Sequence, residues 1–279
     1  MYDRIVSNWT IFRIALEERL VYRADFAMGT LMRFLPIITQ IFLWQAIFLS
    51  QARDQLAGYR YQDFVAYYLL TMIARAFSSM PGLASGIAEQ VRNGEIKKFL
   101  IQPVDLLSFL LLGRIAHKCT YYAIAILPFG LVFFLCRDYF MDGFPDGLTF
   151  CAFLCSLIMG FMIGFFLEAA IGMIGFWLLE VSSLLFIYML FNFFLSGHMF
   201  PLDMLKEVQL WGDWSCFDLV KLLPLQYLAY FPVAVFLKKV EGLELITGLC
   251  IEAGWLVFFI IFARCTFRMG VRRYSGFGG

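Results

Sequence analysis

Histidine, cysteine and acidic residues are the side chains that could do chemistry in this chain, and their spacing excludes most of it. His117 and His198 are its two histidines. The H-E-x-x-H pair that holds zinc on one helix face therefore cannot be built, and a serine paired with a histidine base has few candidates. The seven cysteines, at 119, 136, 151, 155, 216, 250 and 265, fall mostly in apolar runs without C-x-x-C pairing. They read as small apolar fillers rather than zinc ligands. There is no G-x-S-x-G, and no G-x-x-x-x-G-K-[ST] loop to cradle nucleotide phosphates. The chain is expected not to be an enzyme by itself and to hold no metal or cofactor. If ATP with its magnesium drives it, another polypeptide binds them.

Ionisable residues inside long apolar stretches are the next candidates, because each costs about 2.5–3.5 kcal/mol on insertion scales unless paired or wetted. They are Arg33, Arg75, Glu168, Glu180 and Glu252. Glu168 stands deepest, inside FMIGFFLEAAIGMIGF, and two readings of it stand together: a group facing a cavity or partner, and half of a structural ion pair. Glu180 and Glu252 lie nearer the ends of their stretches. His198 in LSGHMFP could gate by pH, although a lone histidine at a helix end commonly does no more than hydrogen bond. The run Phe186, Tyr188, Met189, Phe191, Phe193 and Phe194 could line an apolar path or simply pack between helices.

These residues need elements that place them in a bilayer. Hydrophobic residues make up 62% of the 279 and charged ones 15%, with 33 Phe, an excess spread along the chain that demands lipid as solvent. Six stretches reach the ~20 apolar residues that span a hydrocarbon core: 27–49, 62–88, 107–135, 148–174, 176–200 and 246–266. Strands are excluded, since an open sheet edge is unsatisfied in lipid, so the fold is expected to be all-α with six transmembrane helices. Ahead of them, segment 1–25 has no cleavable apolar run. Ile5, Trp9, Phe12, Leu16 and Leu20 recur at helical spacing between charges, as in an amphipathic helix at the membrane interface. The net charge of +1 gives no basic surplus for nucleic acid; lipid is the expected surroundings.

Two connections carry structure of their own. Residues 89–105, EQVRNGEIKKFLIQPVD, are too charged for lipid, yet Ile96, Phe99 and Leu100 form one apolar face beside Lys97 and Lys98, closed by Pro103. Between the fifth and sixth stretches, in loop 201–245, LLPLQYLAYFPVAVFL (222–237) is too short to cross and holds Pro224 and Pro232; it reads as a re-entrant or interfacial hairpin packed against protein. Segments 1–25, 89–105 and 264–279 hold eleven Lys and Arg against seven in 50–60, 136–147 and 201–245, which points both termini to the cytoplasm.

In this combination the chain resembles an ABC-2 type exporter permease over nearly its whole length. The resemblance is carried by RNGEIKKFLIQPVD (92–105), GMIGFWLLEVSSL (172–184), FLSGHMFPLDML (194–205), LLPLQYLAYFP (222–232) and RRYSGFGG (272–279). It implies a multi-pass protein of a bacterial inner membrane. It makes the helix at 89–105 the coupling helix that seats in a cleft of a separate ABC ATPase, a role falling on Gly94, Glu95, Ile96, Phe99, Leu100 and Pro103. It also implies two permeases, identical or related, with two ATPases and a path between the permeases lined by the second and fifth spans; Glu168, Tyr188, Phe191, Phe194 and His198 are the candidates here. His198 and Met199 depart from the blander apolar residues expected at that place. The rivals are a proton-coupled secondary transporter using Glu168 or Glu252, which matching broken helices in two halves would support, an intramembrane enzyme, and an importer.

Overall fold

The computed structural model describes residues 2–21, 23–51, 55–102, 104–141, 143–178, 180–211 and 214–274. Almost all of them are helical: α1 (Tyr2–Val21), α2 (Arg23–Gln51), α3 (Tyr61–Ser78), α4 (Leu83–Arg92), α5 (Lys97–Ile101), α6 (Leu106–Leu135), α7 (Gly147–Met173), α8 (Ser182–Leu195), α9 (Cys216–Lys221), α10 (Tyr230–Phe236) and α11 (Gly242–Arg273). Short 3-10 turns cover Arg137–Tyr139, Ile174–Phe176, Leu202–Glu207 and Pro224–Leu228. The one sheet among the described residues is a two-stranded antiparallel ribbon, β1 (Gln209–Trp211) with β2 (Trp214–Ser215).

Among the described residues, three helices are long and apolar enough to cross a bilayer: Leu106–Leu135, Gly147–Phe176 (α7 with the turn that prolongs it) and Gly242–Arg273; Phe34–Ser50 and Ser182–Leu195 are shorter apolar helices. Asp105 and Asp146 open α6 and α7 as N-caps, their carboxylates accepting from the amides of Ser108 and Thr149.

The stretch 62–88 differs from its expected form. It is not one helix but two, α3 and α4, separated at Ser79–Gly82. Proline removes an amide donor and disfavours helical backbone in the residue before it, so Pro81 stops the helix. Gly82 then takes the left-handed conformation, φ +72°, that glycine adopts without strain. The stretch 176–200 is likewise shorter than expected, with α8 covering 14 residues.

At the centre stands α7, flanked by α3, α4, α10 and α11. Close approach is written in its glycines. A Cβ on Gly160, Gly164 or Gly172 would lie 2.6, 2.4 and 2.6 Å from the carbonyl oxygens of Tyr227, Ser78 and Ala84, so neighbouring backbones lie directly on this face. α10, with the turn before it, is wholly buried, so the two-proline stretch is packed within protein. α1 packs along α6.

Contacts sort the connections into two ends. At one, Lys239 reaches Gly58 and Asp63, and Phe140 and Phe144 meet Phe236, gathering 55–63, 136–141 with 143–144, and 230–239. At the other, Arg264 bonds Asp105, and Phe176 packs on Phe267 and Tyr274. The Lys and Arg balance groups the same connections, apart from segment 1–25, which these contacts do not place.

Candidate functional site

The segment expected to couple to an ATPase lies at the second end. After α4 the chain turns through Gly94, φ +76°, and the Ile96 amide donates back to the Gln90 carbonyl at 3.2 Å. α5 follows at once. Ile96 is fully buried, and Phe99 is buried against Phe109 with ring centroids 5.2 Å apart. These two therefore fasten the helix to its own bundle. Leu100 at 41% and Ile101 at 83% exposure face outward, beside Lys97 and the Lys98–Glu95 pair at 3.7 Å. The apolar face read at Ile96, Phe99 and Leu100 is thus divided, and Ile101, which the i, i+3, i+4 pattern skips, is its most exposed member. Gly94 faces the Tyr274 hydroxyl, 3.5 Å from where a Cβ would stand. Pro103 lies outside the described residues, as do residues 275–279 of the tail and the side chain of Arg33.

The five path candidates are not brought together as one lining. Glu168 and Tyr188 adjoin, on α7 and α8. Phe191 and Phe194 are exposed on α8. His198 sits beyond the end of α8, where its Nδ1 lies 2.6 Å from Ser196 Oγ and Nε2 is buried without a partner; Arg75 of α3 is its nearby charge.

Around Glu168 lies a cluster that reasoning from sequence misses. The Lys118 ammonium donates to the carbonyls of Ala76 and Ser79, the latter at 2.7 Å, and the Arg114 guanidinium donates to the Pro81 carbonyl at 2.8 Å. Glu168 of α7 is the acidic neighbour of both cations. The interruption between α3 and α4 is therefore dressed on one side by α6 and on the other by α7. A signal is present: Arg114, Lys118 and Tyr122 recur every fourth residue in an otherwise apolar stretch, and Tyr122 too reaches a carbonyl of α3, Ile73 at 3.5 Å.

A second such group fastens the opposite end. Buried Asp203 accepts from the hydroxyls of Tyr59 and Tyr230, each at 2.7 Å, and pairs with Lys206 at 2.6 Å. Burial and the adjacent Tyr230 and Asp203 keep the Tyr59 phenol protonated far above its ordinary range. The SGHM turn beside it is held by Tyr67 on the Gly197 carbonyl, Tyr68 on the Met199 carbonyl and the Tyr230 amide on the Ser196 carbonyl. Glu252 of α11 is fully buried with neither oxygen bonded; Ser156 of α7 faces it without completing a hydrogen bond. Glu180 is exposed and accepts from the Ser182 amide at 3.2 Å. Among the described residues no group of three or more His, Cys, Asp or Glu could hold a metal ion.

No curated protein and no solved structure matches the chain. The family model described as ABC-2 family transporter protein matches residues 34–278, from within α2 through the end of α11. With long apolar helices around a glycine-lined centre and that match over most of its length, the chain is a multi-pass membrane protein and belongs to the ABC-2 transporter family.

Proposed function

We propose that this chain is the permease of an ABC exporter: it crosses the membrane six times, pairs with a second permease, identical or related, and moves an amphiphilic cargo outward by alternating access powered by a separate ATPase. Association with an ABC ATPase is general to the family. The observation that carries the reading is the outward pair Leu100 and Ile101 with a basic rim, mounted on a five-residue helix joined to α4 by the turn at 93–96. An exposed apolar knob with a charged margin suits a docking cleft, and α4 is a short lever from it into the bundle. Both termini and α5 lie on the cytoplasmic side in this reading, and the buried stretch 224–236 re-enters from the outer side. ATP and magnesium belong to the partner; the chain itself performs no catalysis.

Co-purification tests it. An ABC ATPase should be retained by the wild-type permease and lost from Leu100→Asp/Ile101→Asp, because each substitution places an uncompensated charge in the interface. Retention of the ATPase by the double variant would refute the assignment. A proton-coupled secondary transporter is the second reading, favoured by the unbonded, fully buried Glu252; it requires cargo movement by the chain with no ATPase attached.

A further inference from the structure

A membrane helix can be interrupted only where its freed backbone groups find partners inside the protein. At Ser79–Gly82 those partners are supplied with matched sign. Lys118 and Arg114 serve the carbonyls of Ala76, Ser79 and Pro81 at the negative end of α3. Glu168 of α7 lies beside both cations as their acidic neighbour. The same break lies on the α7 stripe Gly160, Gly164, Glu168, Gly172, spaced four apart, with α3 seated at Gly164 and α4 at Gly172 and Gly175.

The two half-helices are held differently. α3 is locked at its outer part by polar bonds: Asp63 to Arg60 and Lys239, both 3.3 Å, and Tyr67 and Tyr68 to the turn after α8. α4 meets α7 as small residue on small residue, Ala84 on Gly172 and Ala88 on Gly175, a smooth contact along which one helix can shift over another. Its far end is continuous with α5 through Gly94.

We infer that the interruption at Ser79–Gly82 is a joint, and that Glu168, Arg114 and Lys118 are the positioning residues that let α4 swing with α5 while α3 stays fixed. The inference rests on the reading above that an ATPase drives α5. The lysine supports this use because its ammonium carries three donors on a flexible stem and already serves two carbonyls; it can exchange among them as the angle changes without leaving any bare in lipid. Glu168 is the acidic group set beside the two cations at the break.

The test uses the permease in lipid with its ATPase bound, its seven native cysteines replaced and spin labels placed in pairs at Gln62 with Glu89, across the joint, and at Gln62 with Leu127, within the outer part. Between the nucleotide-free and ATP-trapped complexes the first distance should change by about 2 Å or more, the scale of helix shifts at driven interfaces, and the second should hold. Glu168→Gln, which keeps the side chain's shape and removes the acidic group, and Lys118→Met should at least halve the first shift with ATPase retained; Lys118→Arg should restore it. Equal movement of both pairs, or a first pair that is still while ATP is hydrolysed, overturns the joint and leaves the permease reading intact. Wild-type shifts in both variants overturn the roles of the two side chains. Failure of the wild-type chain to retain an ATPase overturns the permease reading and the joint together.

Discussion

α7 and α8 are both built almost wholly of apolar residues and follow one another in sequence, yet the fold uses them oppositely. Thirteen residues of α7 are buried and none of α8 is. α8 touches the core through Tyr188 and Leu195 and shows Phe186, Ile187, Met189, Leu190, Phe191, Phe193 and Phe194 to its surroundings. Hydropathy sets membership of the membrane for both; side-chain size decides which becomes the centre. Gly160, Gly164 and Gly172 let four neighbouring elements close on α7, whereas the phenylalanines of α8 keep neighbours at ring distance. α8 is instead fastened by the turn at its end.

The largest effect should come from the smallest chemical change. Gly164→Ala puts a methyl 2.4 Å from the Ser78 carbonyl oxygen, a contact that only backbone movement can relieve. The expected loss lies at or above the upper end of the usual overpacking cost, about 1–3 kcal/mol, read as a lowered unfolding temperature in detergent. Phe191→Ala deletes a whole ring and should cost the isolated chain far less. If the two variants unfold alike, α7 is not the packing centre.

Asp203→Ala asks whether the end of α8 is its true fastening. The substitution strands two phenols and Lys206, and an unsatisfied buried polar group costs about 1–3 kcal/mol. The expected signature is faster proteolysis within 196–215 together with a lower unfolding temperature, and a stable, protease-resistant Asp203→Ala would return α8 to attachment through its sides.

What is legible in the sequence follows the same division. Apolar length locates α6, α7 and α11, and the Lys and Arg balance groups the connections other than 1–25 as their contacts do. The split of 62–88 is carried by Pro81-Gly82 inside an apolar run, where hydropathy averages over the two residues that matter. Arg114 and Lys118 are hidden in a stretch whose span length is its dominant signal and whose four-residue recurrence is the weaker one. Asp203 finds its partners at Tyr59 and Tyr230, far away in sequence, and no local pattern announces such a pair. Glu168 stands out in the sequence as the deep carboxylate, but its partners lie on two other elements.

A face that costs nothing to alter in the single chain should matter to an assembly. Phe186→Ser/Phe191→Ser should change the stability of the isolated permease by about 0.5 kcal/mol or less, as for exposed positions elsewhere, and should reduce permease pairing measured by crosslinking in membranes. Unchanged pairing would assign the exposed rings of α8 to lipid and leave the contrast with α7 as one of packing alone.

A small, pH-dependent effect tests how α7's surroundings are tied. Its neighbour α11 is bound to the start of α6 by Arg264 on Asp105, while α8 carries no charged residue at all. Partial burial would by itself raise the Asp105 carboxyl, but Arg264 and the Ser108 hydroxyl and amide hold it below the ordinary carboxylate range. A carboxyl whose folded value is lowered contributes stability that is complete above its unfolded value, near ~3.9, and is lost as pH falls through the folded value. The pair is half-exposed, so Asp105→Asn should cost under ~1 kcal/mol at neutral pH, with the N-cap retained because asparagine also caps. Unfolding curves of wild type and variant should therefore differ slightly at pH 7, less in high salt, and converge below about pH 4 as the wild-type carboxyl takes up its proton. A difference that persisted unchanged in acid would mean that the side chain acts through shape rather than charge, and that the ring of helices around α7 is held by packing without help from this ion pair.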